Sequence, residues 1–405
     1  MAAKSSGPAN YNGHTLTVWI MQGDDQQQWM DSVRADFQKA YPGADVSFQV
    51  QQWSGIQQNL SIALASVDPP DVVDIGNTQT SYYASTGGLL DLGPYLDELG
   101  RRQWTESMNK STLYQGKQYA APWYAGNRVV LYNKDLWAKA GLTSVPKTRA
   151  QWLSDLSKLQ NTAGVSSALW LPGQNWYAFD GFLQDEGAQL VKKDTASGTW
   201  TGNLETPAAI RAVQFFKQLQ SYGNAPKDQD EAHPIQADRF AQGDIASMIA
   251  MGWEGEEAVK KNPKLAGKLG WFPIPGRTAD KPAATFLGGS NLGVALNTRQ
   301  KELAIGFLKI ALDDRNEALF AKASGFLPNR ASLVSALKAN PYGQAAAQAI
   351  DEAGYTPLVP TWGNVEASPN PIVTKFLTPY LQGKVSAAQG AEAANAVLSD
   401  RLSWQ

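Results

Sequence analysis

Acids are plentiful in this chain and histidines are not. Asp and Glu total 37, while His14 and His233 are the only histidines and there is no cysteine. The missing cysteine removes disulfides, thiolate nucleophiles and Cys-ligated zinc together. Two isolated histidines leave almost no material for a general base or a metal site, and each reads as a surface or packing residue. The run Gly288-Gly289-Ser290-Asn291-Leu292-Gly293 invites a serine-nucleophile reading. That motif needs glycine two residues after the serine, where Leu292 stands. No glycine-rich stretch has the P-loop spacing, and the His-Glu-x-x-His zinc pattern is absent. A pair of carboxylates acting on a glycosidic bond survives this elimination. Asp24, Asp25, Glu186, Glu254, Glu256 and Glu257 are its candidates. Acids are so common that solvated helix ends explain most of them, so no covalent chemistry is expected and no cofactor is called for.

Non-covalent chemistry has better material. Fourteen Trp, fourteen Tyr and thirteen Phe form a surplus that favours aromatic-lined recognition surfaces. In "MIAMGWEGEEAV" an apolar run stops at Gly252, and Trp253 follows with Glu254 beside it. A core tryptophan would sit inside the run, so this placement reads as a ring presented at a strand's end.

The elements that position these residues alternate in type. "HTLTVWIMQGDD" alternates as a strand and ends at Gly23 and two acids. Trp29, Val33, Phe37 and Tyr41 then mark one helix face, stopped by Pro42-Gly43. "ADVSFQVQQW" is a second strand, a second helix follows, and Val72 to Ile75 reads as a short buried strand after Pro69-Pro70. Strand, helix, strand, helix, strand predicts a parallel, doubly wound sheet. Further on, Thr148 with Gln151 forms a capping box, and Thr206 with Pro207 opens another helix. A chain of 405 residues exceeds one ordinary core, so two domains are expected. No charged or low-complexity linker separates them.

Bulk properties narrow the class. Charged residues make 18% of the chain and the net charge is −2, the profile of a globular protein with no field for nucleic acid. No apolar run reaches the roughly 18 residues of a membrane span. Residues 1–11 read as a disordered or replaced leader, since they lack the apolar segment of a signal peptide.

Four segments in order resemble the extracytoplasmic solute-binding proteins of carbohydrate ABC transporters. They are "TLTVWIMQGDD…FQKAYPGADV", "DPPDVVDIGNTQTSYYASTGGLLDLGPYL", "YQGKQYAAPWYAGNRVVLYNKDLWAKAGL" and "RFAQGDIASMIAMGW" with "WFPIPG" after it. The resemblance runs from about residue 13 to the end. It implies an α/β chain of two lobes, each a doubly wound sheet, joined by two or three hinge crossings with a sugar held between them. Crossings are expected near "APWYAGN", "FLGGSN" and "SGFLPNR". The lobes would then be discontinuous: 12–123 plus 289–324, and 128–285 plus 330–405.

The resemblance also carries roles onto residues. Trp253 corresponds to a stacking tryptophan, with Glu254 as a hydroxyl acceptor at the rim. Trp176, Tyr177 and Trp362 fall where the related maltose-binding protein has stacking rings. Tyr124 and Arg128 follow the first crossing. Gly126 stands where the family often has an acid, and Asn127 would compensate. Asn77 and Gln79 lie at a strand tip where the maltose-binding protein has a tryptophan, so that platform is lost here or supplied elsewhere. Asp24 and Asp25 follow the first strand, and Gly288, Gly289 and Ser290 would add backbone or hydroxyl contacts. Three aromatic faces at ~1–3 kcal/mol each would give roughly 3–9 kcal/mol, against about 8 for a micromolar site. Stacking alone barely suffices, and separated platforms favour an oligosaccharide. The expected function is the substrate-binding component of a carbohydrate importer, monomeric, extracytoplasmic as a periplasmic protein or cell-surface lipoprotein, and partnered by transmembrane permease subunits. A maltooligosaccharide is the first expectation. Cello-, xylo- or chito-oligosaccharides, peptides or a carboxylate glycosidase are the alternatives, and the scarcity of histidine argues against metal ions.

Overall fold

In the computed structural model, which describes residues 11–367 and 369–403, the alternating segments are strands and the four-spaced ones helices. Residues 1–10 of the expected leader lie outside the described residues. In chain order the strands are β1 (Thr15–Met21), β2 (Asp45–Gln51), β3 (Val72–Gly76), the hairpin β4 (Leu113–Tyr114) and β5 (Lys117–Gln118), β6 (Ala120–Asn127) and β7 (Val129–Asn133). They continue as the hairpin β8 (Val191–Lys193) and β9 (Trp200–Gly202), then β10 (Ser247–Ala250), β11 (Leu269–Phe272), β12 (Leu287–Val294) and β13 (Leu327–Pro328).

The chain divides into two units. The first comprises the residues up to Tyr124 with 290–324 and 328–336, and the second comprises 125–289, 325–327 and everything from Leu337 onward. The segment 328–336 differs from the expected boundary, which gave residues from 330 on to the second lobe. Its polar contacts explain the difference. Asn329 Nδ2 donates to Pro122 O at 2.8 Å, and Arg330 donates to Leu312 O and Asp314 Oδ1 at 2.6 Å each, all within the first unit.

In the first unit β1 pairs in parallel with β2, from Thr15 opposite Asp45 to Met21 opposite Gln51, and also with β3. β12 lies antiparallel to β3 on its other side, and the sheet order is β13-β6-β12-β3-β1-β2. The helix Gln27–Ala40 covers this sheet because its four-residue spacing puts Trp29, Val33 and Phe37 on one face, all fully buried. Each such side chain contributes about 1.5–3 kcal/mol by leaving water.

The second unit has β7 flanked antiparallel by β10 and β11. Its core gathers side chains from the helices Arg149–Gln160, Trp176–Asp185, Pro207–Gln220 and Ala387–Ser403. The capping box at Thr148 and Gln151 forms as the sequence suggests, and the Thr206 side chain accepts from the Ala209 N–H. Losing either cap would cost about 1 kcal/mol of helix stability.

Candidate functional site

In parallel α/β sheets ligands meet the carboxyl ends of the strands, because there the turns leave backbone N–H groups and short polar side chains facing outward. In the first unit those ends are the turns after β1, β2 and β3. After β1, Asp25 Oδ1 accepts from the Gly23 N–H at 2.9 Å, which shapes the turn. Asp24 is buried, and its Oδ2 accepts from the Tyr124 hydroxyl at 2.8 Å. Asp74, inside β3, is also buried and accepts from the Met21 N–H at 2.9 Å. Burial first, and then the neighbouring Asp74 charge, holds the Asp24 carboxyl well above the usual range. Burial likewise pushes Asp74 up to about 6, while Asp24 and the Ser290 hydroxyl act against the rise. Two carboxyls this close in a dry site do not both ionise at neutral pH. Asp24 therefore keeps its proton and shares it with Asp74, which binds the turn after β1 to the end of β3.

Asn77 is buried at the tip of β3, and Gln79 is half-buried with its Oε1 accepting from the Tyr83 hydroxyl at 3.1 Å. Tyr124 offers no ring face for stacking: it is buried against Trp123 and Phe320, with centroids 5.3 and 5.4 Å away. Its contribution is the phenol on Asp24. A separate recess of about 520 Å³ lined by Thr15, Thr17, Asp71 and Arg299 sits at the opposite, amino-terminal end of β1.

In the second unit the stretch after β10 departs from the expected strand-end geometry. Trp253 lies in the first turn of the helix Gly252–Lys261 and is half-buried. Glu254 is no rim acid. It is buried, and its Oε2 accepts from the Met251 N–H at 2.7 Å, so it closes the helix's own first turn. Burial pushes its carboxyl up to about 7, with the nearby Glu231 charge adding to the rise. Gly255 makes room for a protein ring: an added Cβ would stand 2.6 Å from Trp271 Cζ2.

Arg128 pairs with Glu231, and its guanidinium lies 4.6 Å from the centroid of the Tyr177 ring. Tyr177 is half-buried and has Trp176 4.0 Å away and Phe286 5.0 Å away, centroid to centroid. Trp176 is itself a core ring. Trp362 is fully buried, with its indole N–H donating to Glu366 Oε1 at 2.9 Å. It has no free face, so the expected stacking role gives way to packing. Apolar neighbours on the Trp362–Glu366 and Trp176–Asp185 helices enclose it. Asn127 is wholly buried at the end of β6, with neither side-chain oxygen nor nitrogen paired among the described residues. Its backbone carbonyl accepts from the Tyr342 hydroxyl at 3.0 Å. A buried carboxamide left unpaired costs roughly 1–3 kcal/mol. Gly289 has φ +134°, a conformation that favours glycine, and an added Cβ on Gly288 would meet Gly126 O at 3.3 Å.

The aromatic surplus is mostly core. Trp29, Trp104, Trp123, Trp137, Trp152, Trp170, Trp176 and Trp362 are all buried, which accounts for eight of the fourteen tryptophans. Several of the acids offered for hydrolysis are occupied too. Glu186 is clamped by Arg149, Arg211 and Arg277, which together hold its carboxyl below the ordinary value against the opposing effect of burial. Sequence reasoning missed Asp74, Glu231 and Trp53. An acid inside the buried run "DVVDI" was a signal for Asp74, and a tryptophan at the end of β2 was one for Trp53. Glu231 lies in an irregular segment whose pattern gave none.

Residues 22–318 match the family of bacterial extracellular solute-binding proteins. The chain belongs to that family, and the resemblance carried by its motifs holds at this level. Among its relatives, the diacetylchitobiose binding protein DasA of Streptomyces coelicolor is 47% identical over 402 residues, covering 99% of this chain and 93% of that protein. The maltodextrin-binding protein MdxE of Bacillus subtilis is 25% identical, covering 90% of this chain and 85% of its own. The GacH receptor of Streptomyces glaucescens superposes with a TM-score of 0.82 at 24% identity, covering 97% of this chain and 99% of that one. Maltose-bound MalE3 of T. maritima superposes at 0.80 and 20% identity, covering 96% and 100%. These structural likenesses establish the two-lobe α/β binding-protein fold.

Proposed function

We propose that this chain is the substrate-binding component of a carbohydrate ABC importer and that its ligand is a chito-oligosaccharide, with N,N′-diacetylchitobiose as the smallest good ligand. The observation that carries the sugar class is the 47% identity to a diacetylchitobiose binding protein along 99% of the chain, against 25% for the maltodextrin binder. The maltooligosaccharide expected from the motifs gives way to the chito-type alternative on that ground. The chemistry of each unit is compatible with a neutral sugar: Asn77 and Gln79 at a strand tip of the first unit for hydroxyls, and in the second unit Trp253 for a pyranose face with Arg128 and Glu231 for polar substituents. No step breaks a bond in this reading. The protein acts as an extracytoplasmic monomer whose lobes close on the sugar and present it to permease subunits. Among the described residues no helix is long and apolar enough to cross a membrane.

Isothermal titration with N,N′-diacetylchitobiose, cellobiose and maltotriose tests the reading, followed by chromatography of the recovered sugars. Binding of the first at least tenfold tighter than the others, with all three returned intact, is the expected result. Preference for maltotriose would sink the sugar class, and cleavage products would sink the binding role.

A further inference from the structure

Trp53 is the most exposed tryptophan among the described residues, at 37% of its surface. A lone exposed ring is ordinary on a protein surface. Three further facts set this one apart, all within the first unit. It stands two residues beyond the end of β2, in register with the ends of β1 and β3, at the ligand edge of a parallel sheet. Its indole N–H is already satisfied, donating to Gln22 O at 2.9 Å, while the Gln22 N–H donates to Gln51 O at 2.8 Å. That clasp ties the ring to the turn that carries Asp24, two residues on. The ring edge also lies over Gly76 at the tip of β3, where an added Cβ would stand 3.5 Å from Trp53 Cζ3.

A ring fixed by its one polar atom and more than a third exposed is pre-organised for stacking, because little side-chain entropy remains to be lost on binding. The polar groups that a sugar edge needs are adjacent: the Asp24 carboxyl, Asn77 and Gln79 follow the ends of the neighbouring strands. The strand-tip segment "GNTQT" carries no tryptophan of its own, and the ring lies within ordinary van der Waals distance of its first residue, Gly76.

We propose that Trp53 is a sugar-stacking platform of the first unit, receiving the C–H face of one pyranose residue while the turn after β1 takes that residue's hydroxyls. This rests on the oligosaccharide-binding reading, and the test separates the two. Titration with N,N′-diacetylchitobiose is run on the unaltered protein and on Trp53→Ala, Trp53→Leu and Trp53→Phe. Stacking predicts that Trp53→Ala and Trp53→Leu weaken binding by about 5- to 100-fold. Trp53→Phe should restore most of the loss, with the ligand-free melting temperature little changed in all three. Leucine keeps apolar bulk over Gly76 without a flat face, so it remains informative if the alanine variant folds poorly. If the unaltered protein binds and Trp53→Leu binds equally well, the platform is overturned while the sugar-binding reading stands. If the unaltered protein binds no oligosaccharide, the underlying reading fails and the platform falls with it.

Discussion

Single residues here divide by whether their environment leaves them anything to offer a ligand. Trp253 keeps part of its ring free at the start of a helix, whereas Glu254, its neighbour, is consumed by the Met251 N–H. Trp253→Ala should therefore weaken sugar binding by about tenfold or more while shifting the melting temperature little, as calorimetry and a thermal melt would show. An unchanged affinity would remove Trp253 from the site. Buried acids set a second residue-scale expectation. Asp74 is raised to about 6, Asp180 and Glu254 to about 7 and Glu317 to about 8, burial being the leading cause in each. A raised carboxyl binds its proton more tightly in the folded state than in the unfolded one. Its stabilising effect is complete below the ordinary carboxylate range, near pH 4, and is lost as pH climbs through the folded value. Stability should thus decline from about pH 5 to pH 8, each such acid adding up to about 1.4 kcal/mol per pH unit inside its window. Glu317→Gln, which keeps the acceptor for the Asn329 N–H, should flatten that slope in urea melts between pH 5 and 8. A slope unchanged by the substitution would place the titrating proton elsewhere.

Elements explain which parts of the molecule were legible in advance. Period and punctuation gave β1, the helix behind it, β2 and β3, because alternation and four-residue spacing are local signals that burial enforces. The caps at Thr148 and Thr206 were readable for the same reason. Site residues were harder, since a tryptophan in a loop between elements looks alike whether it faces solvent or the neighbouring helix. Trp176 and Trp362 show the failure: both follow turn-like sequence, yet both start helices that press them into the second unit's core. Trp362→Ala should accordingly cost about 3–5 kcal/mol of stability in chemical denaturation, with sugar affinity of the folded protein retained. A marginal stability change coupled to lost binding would return Trp362 to the site.

At the scale of the whole molecule, binding and stability are one measurement. A sugar that binds only the native state adds about 2.7 kcal/mol at a hundred times its dissociation constant. N,N′-diacetylchitobiose at that excess should raise the melting temperature by several degrees where maltotriose at the same concentration does not. Equal shifts for both sugars would show a site that does not discriminate the acetamido group. The discontinuity of both units has its own bearing on how such a chain comes into being. β12 fills the middle of the first unit's sheet, between β6 and β3, yet its residues come late in the chain. During synthesis the first two hundred and more residues emerge with β3 and β6 lacking the strand that joins them, and bare strand edges recruit other chains. Completion of the first unit's sheet therefore waits until Leu287–Val294 has left the ribosome, an ordering that leaves the nascent polypeptide open to chaperones.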